Sequence, residues 1–330
     1  MTGSITKNPH YVPRSYLSAW ADEKDQVCLR RRDNPRAHPV NIKNVAVERG
    51  IYGRGQLGQR REDLFGELEG IWPQLRDEFV ASGVAVGNAR HQIALFAGLQ
   101  IARTREHIAQ VEFVLNLAES TTERPLTREA VRRYLAEQHL GFEPNEREVE
   151  GAWSLASVLV ERNDLPTRED LFGTSLDIAV TKLAPCVEEM AWTLELSRRP
   201  ILYTSDRPVM TWRPPSPRDA YEGVGLLGAT EVRFPLTPRA LLVMRPRGTA
   251  EHLQRVEPKR FGEVNRTTAR QCFEFLVGTV FQSRRLSSIT LYRRRPALRF
   301  NLGPGFQADA SGTRHPMGDI IHTWVPSPGA

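Results

Sequence analysis

Lysine is nearly missing from this chain. Of 45 basic residues only Lys7, Lys24, Lys43, Lys182 and Lys259 are lysines, and the rest are arginines. A GC-rich genome produces such a ratio by codon bias, so the arginine count by itself is poor evidence of nucleic-acid binding. Cysteine is scarce too. Cys28, Cys186 and Cys272 are widely spaced and form no C-x-x-C pair, which excludes a disulfide framework. Thiols in a reducing, cytoplasmic compartment are expected. No stretch reaches the roughly 18 apolar residues of a membrane span. Met1 to His10 contains no apolar run, so no signal peptide is expected either. The common catalytic strings are also absent: no H-E-x-x-H, no P-loop, no G-x-S-x-G and no zinc-type Cys/His spacing.

What is present is ordinary globular material. The 330 residues, 40% hydrophobic and 25% charged, suffice for a buried core. The charge is unevenly placed. Residues 198–330 hold 21 Lys and Arg against 10 Asp and Glu, whereas residues 1–197 hold 24 against 29. Net +11 follows net −5. Two readings fit: an anionic ligand on the C-terminal half, or two halves of opposite sign packed together.

Apolar periodicity predicts helices first. Pro13 suits a first helical turn, with Tyr16, Leu17 and Trp20 forming an apolar stripe. Helices are predicted over 60–80, 88–119 and 146–162. Two more start at Thr127 and Thr167, where Asp170 completes a capping-box pattern. Residues 168–197 run long and apolar, so the helical body is placed at about 60–197. Strands are expected at 27–31, 201–204, 209–212, 231–236, 240–244 and 288–293, with one further helix over 262–281. The fold class is therefore α+β, with a small, mainly antiparallel β-rich part after the helical body. Residues 1–302 are expected to form one domain, and 303–330 an extended or poorly ordered tail. Gly53-Arg54-Gly55-Gln56-Leu57-Gly58 satisfies G-x-G-x-x-G. It lacks a βαβ context and reads as a flexible loop.

Four separated strings read together are more specific. They are His10-Tyr11-Val12-Pro13-Arg14-Ser15-Tyr16-Leu17, Gln100-Ile101-Ala102-Arg103-Thr104, Thr204-Ser205-Asp206-Arg207-Pro208-Val209 and Phe234-Pro235-Leu236-Thr237-Pro238. In this order the chain resembles the bacterial DUF4238 family over about residues 8–283, with Val47 to Tyr52 and Leu68-Glu69 as weaker matches. Ser15, Trp20 and Arg207 depart from the residues common in that family. Arg207 stands where Asn is common in T-S-D-N-P. The family has no assigned function, so the resemblance implies kinship and no reaction.

The candidate residues come from these strings. His10 can shuttle a proton or bind a metal. Arg14 can grip a carboxylate or phosphate. Gln100, Arg103 and His107 share one stripe of a predicted helix, where Glu69 can pair with Arg103. Asp206 closes a predicted strand, where a carboxylate serves acid–base work, a metal, or plain turn chemistry. Two functional expectations follow. In the first, His10, Glu69 and Asp206 are catalytic, Arg14, Gln100 and Arg103 bind substrate, and a divalent ion such as Mg or Mn activates water for phosphodiester hydrolysis. In the second, the protein is a non-catalytic binding or effector protein, and its basic half holds nucleic acid or another anionic partner.

Overall fold

The structure, a computed structural model, describes residues 10–48, 55–122, 126–140, 142–161, 167–215, 224–291, 297–302, 306–308, 314–316 and 320–325. The chain divides into two compact units. One comprises residues 1–108, 169–213 and 226–293, the other residues 109–168, 214–225 and 294–330.

The first unit is built on two sheets. In the strand β6, Glu231–Thr237, side chains alternate between faces. Val232, Phe234 and Leu236 lie on one face, and Glu231 and Arg233 on the other. The Thr237-Pro238-Arg239 turn returns the chain into β7, Ala240–Arg245, antiparallel to β6. This is the hairpin expected from sequence. β7 then pairs with β3, Ala191–Leu196, and β3 pairs in parallel with β8, His252–Arg255. Adding β5, Met210–Trp212, gives a five-stranded sheet of order β5-β6-β7-β3-β8. A second sheet has the order β2-β1-β9-β4. Its strands are β1 Gln26–Arg31, β2 His38–Asn41, β4 Thr204–Ser205 and β9 Phe275–Gly278.

The helices of this unit are α1 Arg14–Leu17, α2 Gly55–Ser82, α3 Gly87–Ala102, α8 Ala184–Glu189, α9 Pro258–Gln271 and α10 Ser283–Ser287. An aromatic cluster joins them to the large sheet. Trp72 of α2 stacks on Phe96 of α3 with centroids 3.7 Å apart, and both lie against Phe234 of β6. On the opposite face, Leu241 and Val243 pack with Phe261 and Val264 of α9. Polar residues of that face form a closed ion network. Arg233 and Arg260 meet Glu231, Arg260 also meets Glu195, and Arg245 bonds Glu231. The neighbouring guanidinium groups hold the Glu231 carboxyl down to about 2 against the opposing effect of its burial.

The second unit contains most of α4, Arg105–Thr122, with α5 Arg128–Tyr134 and α6 Glu146–Glu161. Its core includes Phe113, Leu117, Val131, Val149 and Ala152. Thr127 caps α5 by accepting the Ala130 N–H at 3.1 Å, as expected. Residues 297–302 and 320–325 pair antiparallel in this unit, so part of the expected tail is strand.

Several expectations are corrected. The helix predicted over 88–119 is two helices, because Arg103 ends α3 and Thr104 accepts the His107 N–H to start the next turn. Residues 168–197 are not helical throughout. Helix α7, Arg168–Ile178, a π-turn and α8 give way to β3, whose side chains are buried on both faces and read as one apolar run. The helix predicted over 262–281 ends at Gln271, and β9 follows. The last strand predicted over 288–293 is not formed in residues 288–291, and 292–293 lie outside the described residues. The glycine-rich string is helix from Gly55 onward, and Gly53 lies outside the described residues. No helix among the described residues is long and apolar enough to cross a membrane.

Candidate functional site

The four signature strings meet, and they meet through hydrogen bonds. Tyr16 of the first string donates from its hydroxyl to the Pro235 carbonyl at 2.8 Å and shares a hydrogen bond with Thr204 Oγ1 at 2.7 Å. Its ring stacks on Phe234. Trp20 donates its indole N–H to the Leu202 carbonyl at 3.0 Å. Arg103 of the second string returns to the first, with Nη2 donating to the His10 carbonyl at 2.6 Å. Burial pushes the Tyr16 hydroxyl far above its usual range, so it remains a neutral donor.

Among the six candidate residues, His10, Glu69 and Arg103 come together. Arg103 Nη1 lies 2.8 Å from Glu69 Oε1, the pairing proposed from sequence. The guanidinium is almost fully buried and also covers the Phe65 ring at 4.5 Å. The His10 ring donates from Nε2 to the Lys43 carbonyl at 3.2 Å, which fixes a proton on that nitrogen. Burial lowers the His10 pKa, and the charges of Arg14 and Arg103 add to the effect. Arg14 is exposed on α1. The helix begins at Arg14, so His10 precedes it. Gln100 is one turn before Arg103 and is buried, and no protein group bonds either end of its amide.

Asp206 bonds to none of these residues. It is fully buried, and its two oxygens accept the backbone N–H groups of Phe273 and Glu274, the former at 2.9 Å. The carboxylate thus ties the end of β4 to the start of β9. Burial raises its pKa to about 7 against the pull of those two N–H groups. Ser205 accepts the Arg207 N–H at 3.0 Å, so the string is also turn chemistry. Arg207, the departure from T-S-D-N-P, has its own partner. It pairs at 2.8 Å with the buried Glu106. Among the described residues no group of three His, Cys, Asp or Glu side chains is placed to hold a metal ion. Of the donors considered from sequence, Glu69 pairs with Arg103, His10 Nε2 faces the Lys43 carbonyl, and Asp206 accepts two backbone N–H groups.

The family described as "Protein of unknown function (DUF4238)" matches residues 8–280. The chain belongs to the DUF4238 family. No curated protein and no solved structure matches it. In this DUF4238 chain the strings that mark kinship coincide with the buried hydrogen bonds joining α1, α3 and both sheets.

A different part of the same unit faces solvent with a net positive charge. Strands β3 and β8 are parallel, with Leu196 opposite Arg255, so both end at one edge of the large sheet. β7 runs the other way and starts there, with Ala240 opposite Leu196. Arg198 and Arg199 after β3, Arg239 in the β6–β7 turn and Arg255 at the end of β8 are all exposed. Arg239 Nη1 donates to the Arg198 carbonyl at 2.8 Å, which fixes two of them together. None of the four forms an ion pair with a described residue. Exposed Glu257, just before α9, is the acid nearest in sequence to Arg255. Sequence reasoning recorded the charge of the C-terminal half but not this convergence, which depends on strand direction.

Proposed function

We propose that this protein is a nucleic-acid-binding protein and that the basic end of its five-stranded sheet is the docking surface. The convergence of exposed Arg198, Arg199, Arg239 and Arg255 at one sheet edge carries the reading. Guanidinium groups suit phosphate because their donors match its oxygens in pairs. The arginine count is set aside, since composition alone explains it. What distinguishes these four is their placement, since arginines elsewhere in the unit such as Arg103, Arg233 and Arg260 have carboxylate partners.

The reading is non-catalytic. His10, Glu69 and Asp206 make the packing contacts described above, so no acid–base or metal step is assigned to them.

Binding of a labelled oligonucleotide, followed by fluorescence anisotropy over a salt series, tests the proposal. Affinity is expected to fall log-linearly with salt, at about 0.7–0.9 per phosphate contacted. The variant Arg198→Glu/Arg199→Glu/Arg255→Glu is expected to weaken binding and lower that slope by about one per residue or more. Absence of binding at low salt, or equal binding by the folded variant, would overturn it.

A further inference from the structure

One aromatic side chain beside this surface is almost completely exposed. Phe281 is 94% accessible. A single exposed apolar residue is ordinary on its own. The way this one is held is not. It lies in the 3₁₀ turn Val280–Gln282, closed at its start by a reciprocal capping box. There the Thr279 side chain accepts the backbone N–H of Gln282, and Gln282 Oε1 accepts the Thr279 N–H at 2.7 Å. The amide nitrogen of Gln282 then donates to the carbonyls of Pro200 at 3.0 Å and Ile201 at 3.1 Å. Every polar atom of the Gln282 side chain is therefore used to fix the turn. The same bonds lock that turn to the segment directly after Arg198 and Arg199.

Room for this arrangement depends on Gly278. A Cβ there would lie 2.6 Å from Gln282 Oε1 and 3.0 Å from the Leu286 side chain. On the other side of Phe281, α10 carries exposed Arg284 and Arg285. It is clipped to the 33–37 loop by Ser283 Oγ donating to the Ala37 carbonyl and the Ala37 N–H donating to Ser287 Oγ, both at 3.0 Å. The result is a phenyl ring on a turn bonded to the segment that follows exposed Arg198 and Arg199, and followed in the chain by exposed Arg284 and Arg285.

We infer that Phe281 is a stacking platform for an unpaired base, so that the nucleic acid bound is single-stranded and its phosphates are held by Arg198, Arg199, Arg284 and Arg285. This inference rests on the nucleic-acid reading above. A ring face stacks on any base, but bases in a duplex are already stacked on one another and present no free face. Arginines beside the ring supply the phosphate contacts that a single strand needs and that carry no sequence preference.

The test uses the full chain with an oligothymidylate and with a duplex of mixed sequence. Phe281→Ala is expected to weaken oligothymidylate binding about 10-fold at every salt concentration, leaving the salt slope unchanged. Phe281→Trp should restore it, and duplex binding should not respond to either variant. Arg284→Glu/Arg285→Glu should instead lower the slope. If Phe281→Ala binds like wild type while the arginine variants weaken binding, the stacking inference fails and the nucleic-acid reading stands. If wild type binds neither probe at low salt, both fail. A Phe281→Ala loss that is equal on duplex and single strand also overturns the inference.

Discussion

Arginine does two different jobs in the first unit. Buried Arg103 and Arg233 and half-buried Arg207 are each matched to a carboxylate, Glu69, Glu231 and Glu106 respectively. At the sheet edge Arg198, Arg199 and Arg255 face water without one. Arg103 and Arg207 lie within the strings quoted for the family and Arg233 lies beside one, whereas Arg245 and Arg260, also matched to carboxylates, lie outside them, as do Arg198, Arg199 and Arg255. Buried charges must be paired because desolvation is costly, whereas exposed charges can remain available to an outside anion. The comparison separates arginines that hold the fold from arginines proposed to bind, and it can be broken at either end.

The largest effect is expected in the interior. Arg103→Ala removes the Glu69 pair, the bond to the His10 carbonyl and the cover over Phe65. It should cost about 3 kcal/mol or more in denaturant unfolding. Asp206→Ala strands two N–H groups, those of Phe273 and Glu274, and should cost about 2–3 kcal/mol. The milder Asp206→Asn tests the ionisation separately. With a folded pKa of about 7 against 3.8, the native state holds this proton more tightly than the unfolded chain. The resulting stabilisation is fully present below pH 3.8 and is lost as pH rises through about 7. His10 works the other way. Its lowered pKa makes stability fall as pH drops below the ordinary value of 6.5. The difference curve between wild type and Asp206→Asn from pH 4 to 8 isolates Asp206 and should slope downward with pH. A flat difference curve would remove the ionisation argument. Tyr16→Phe deletes one donor to Pro235 and one bond to Thr204, for about 1–2 kcal/mol. The smallest effect on stability belongs to Arg198→Glu/Arg199→Glu, within about 0.5 kcal/mol, as for other exposed substitutions.

Local chemistry was legible in the sequence where one element decides it. The β6–β7 hairpin around Thr237-Pro238-Arg239 and the Thr127 cap needed no tertiary information. The Glu69–Arg103 pair was also legible, because a polar stripe on a core helix must find partners. β3 was not. Trp192, Thr193, Leu194 and Glu195 are all buried, so period-two alternation is hidden and only pairing with β7 and β8 makes the segment a strand. β9 was hidden for the same reason, being a short apolar run directly after a helix. The arginine edge was unreadable because it is assembled by parallel and antiparallel strand directions from residues far apart in the chain. Phe281 did leave a signal. Thr279-Val280-Phe281-Gln282 fits the T-x-x-Q capping pattern and stands just before Arg284-Arg285. It was obscured by extending the preceding helix to residue 281.

The central claim is that stability and binding are separable between these two regions. Anisotropy titration of one labelled oligonucleotide against Tyr16→Phe and Arg198→Glu/Arg199→Glu, each with its melting temperature, tests it directly. The account predicts a lowered melting temperature and unchanged Kd for Tyr16→Phe. It predicts the reverse for the arginine variant, with an unchanged melting temperature and Kd raised about 10-fold or more at low salt. A folded Tyr16→Phe protein that loses binding, or an arginine variant that binds like wild type, would contradict it.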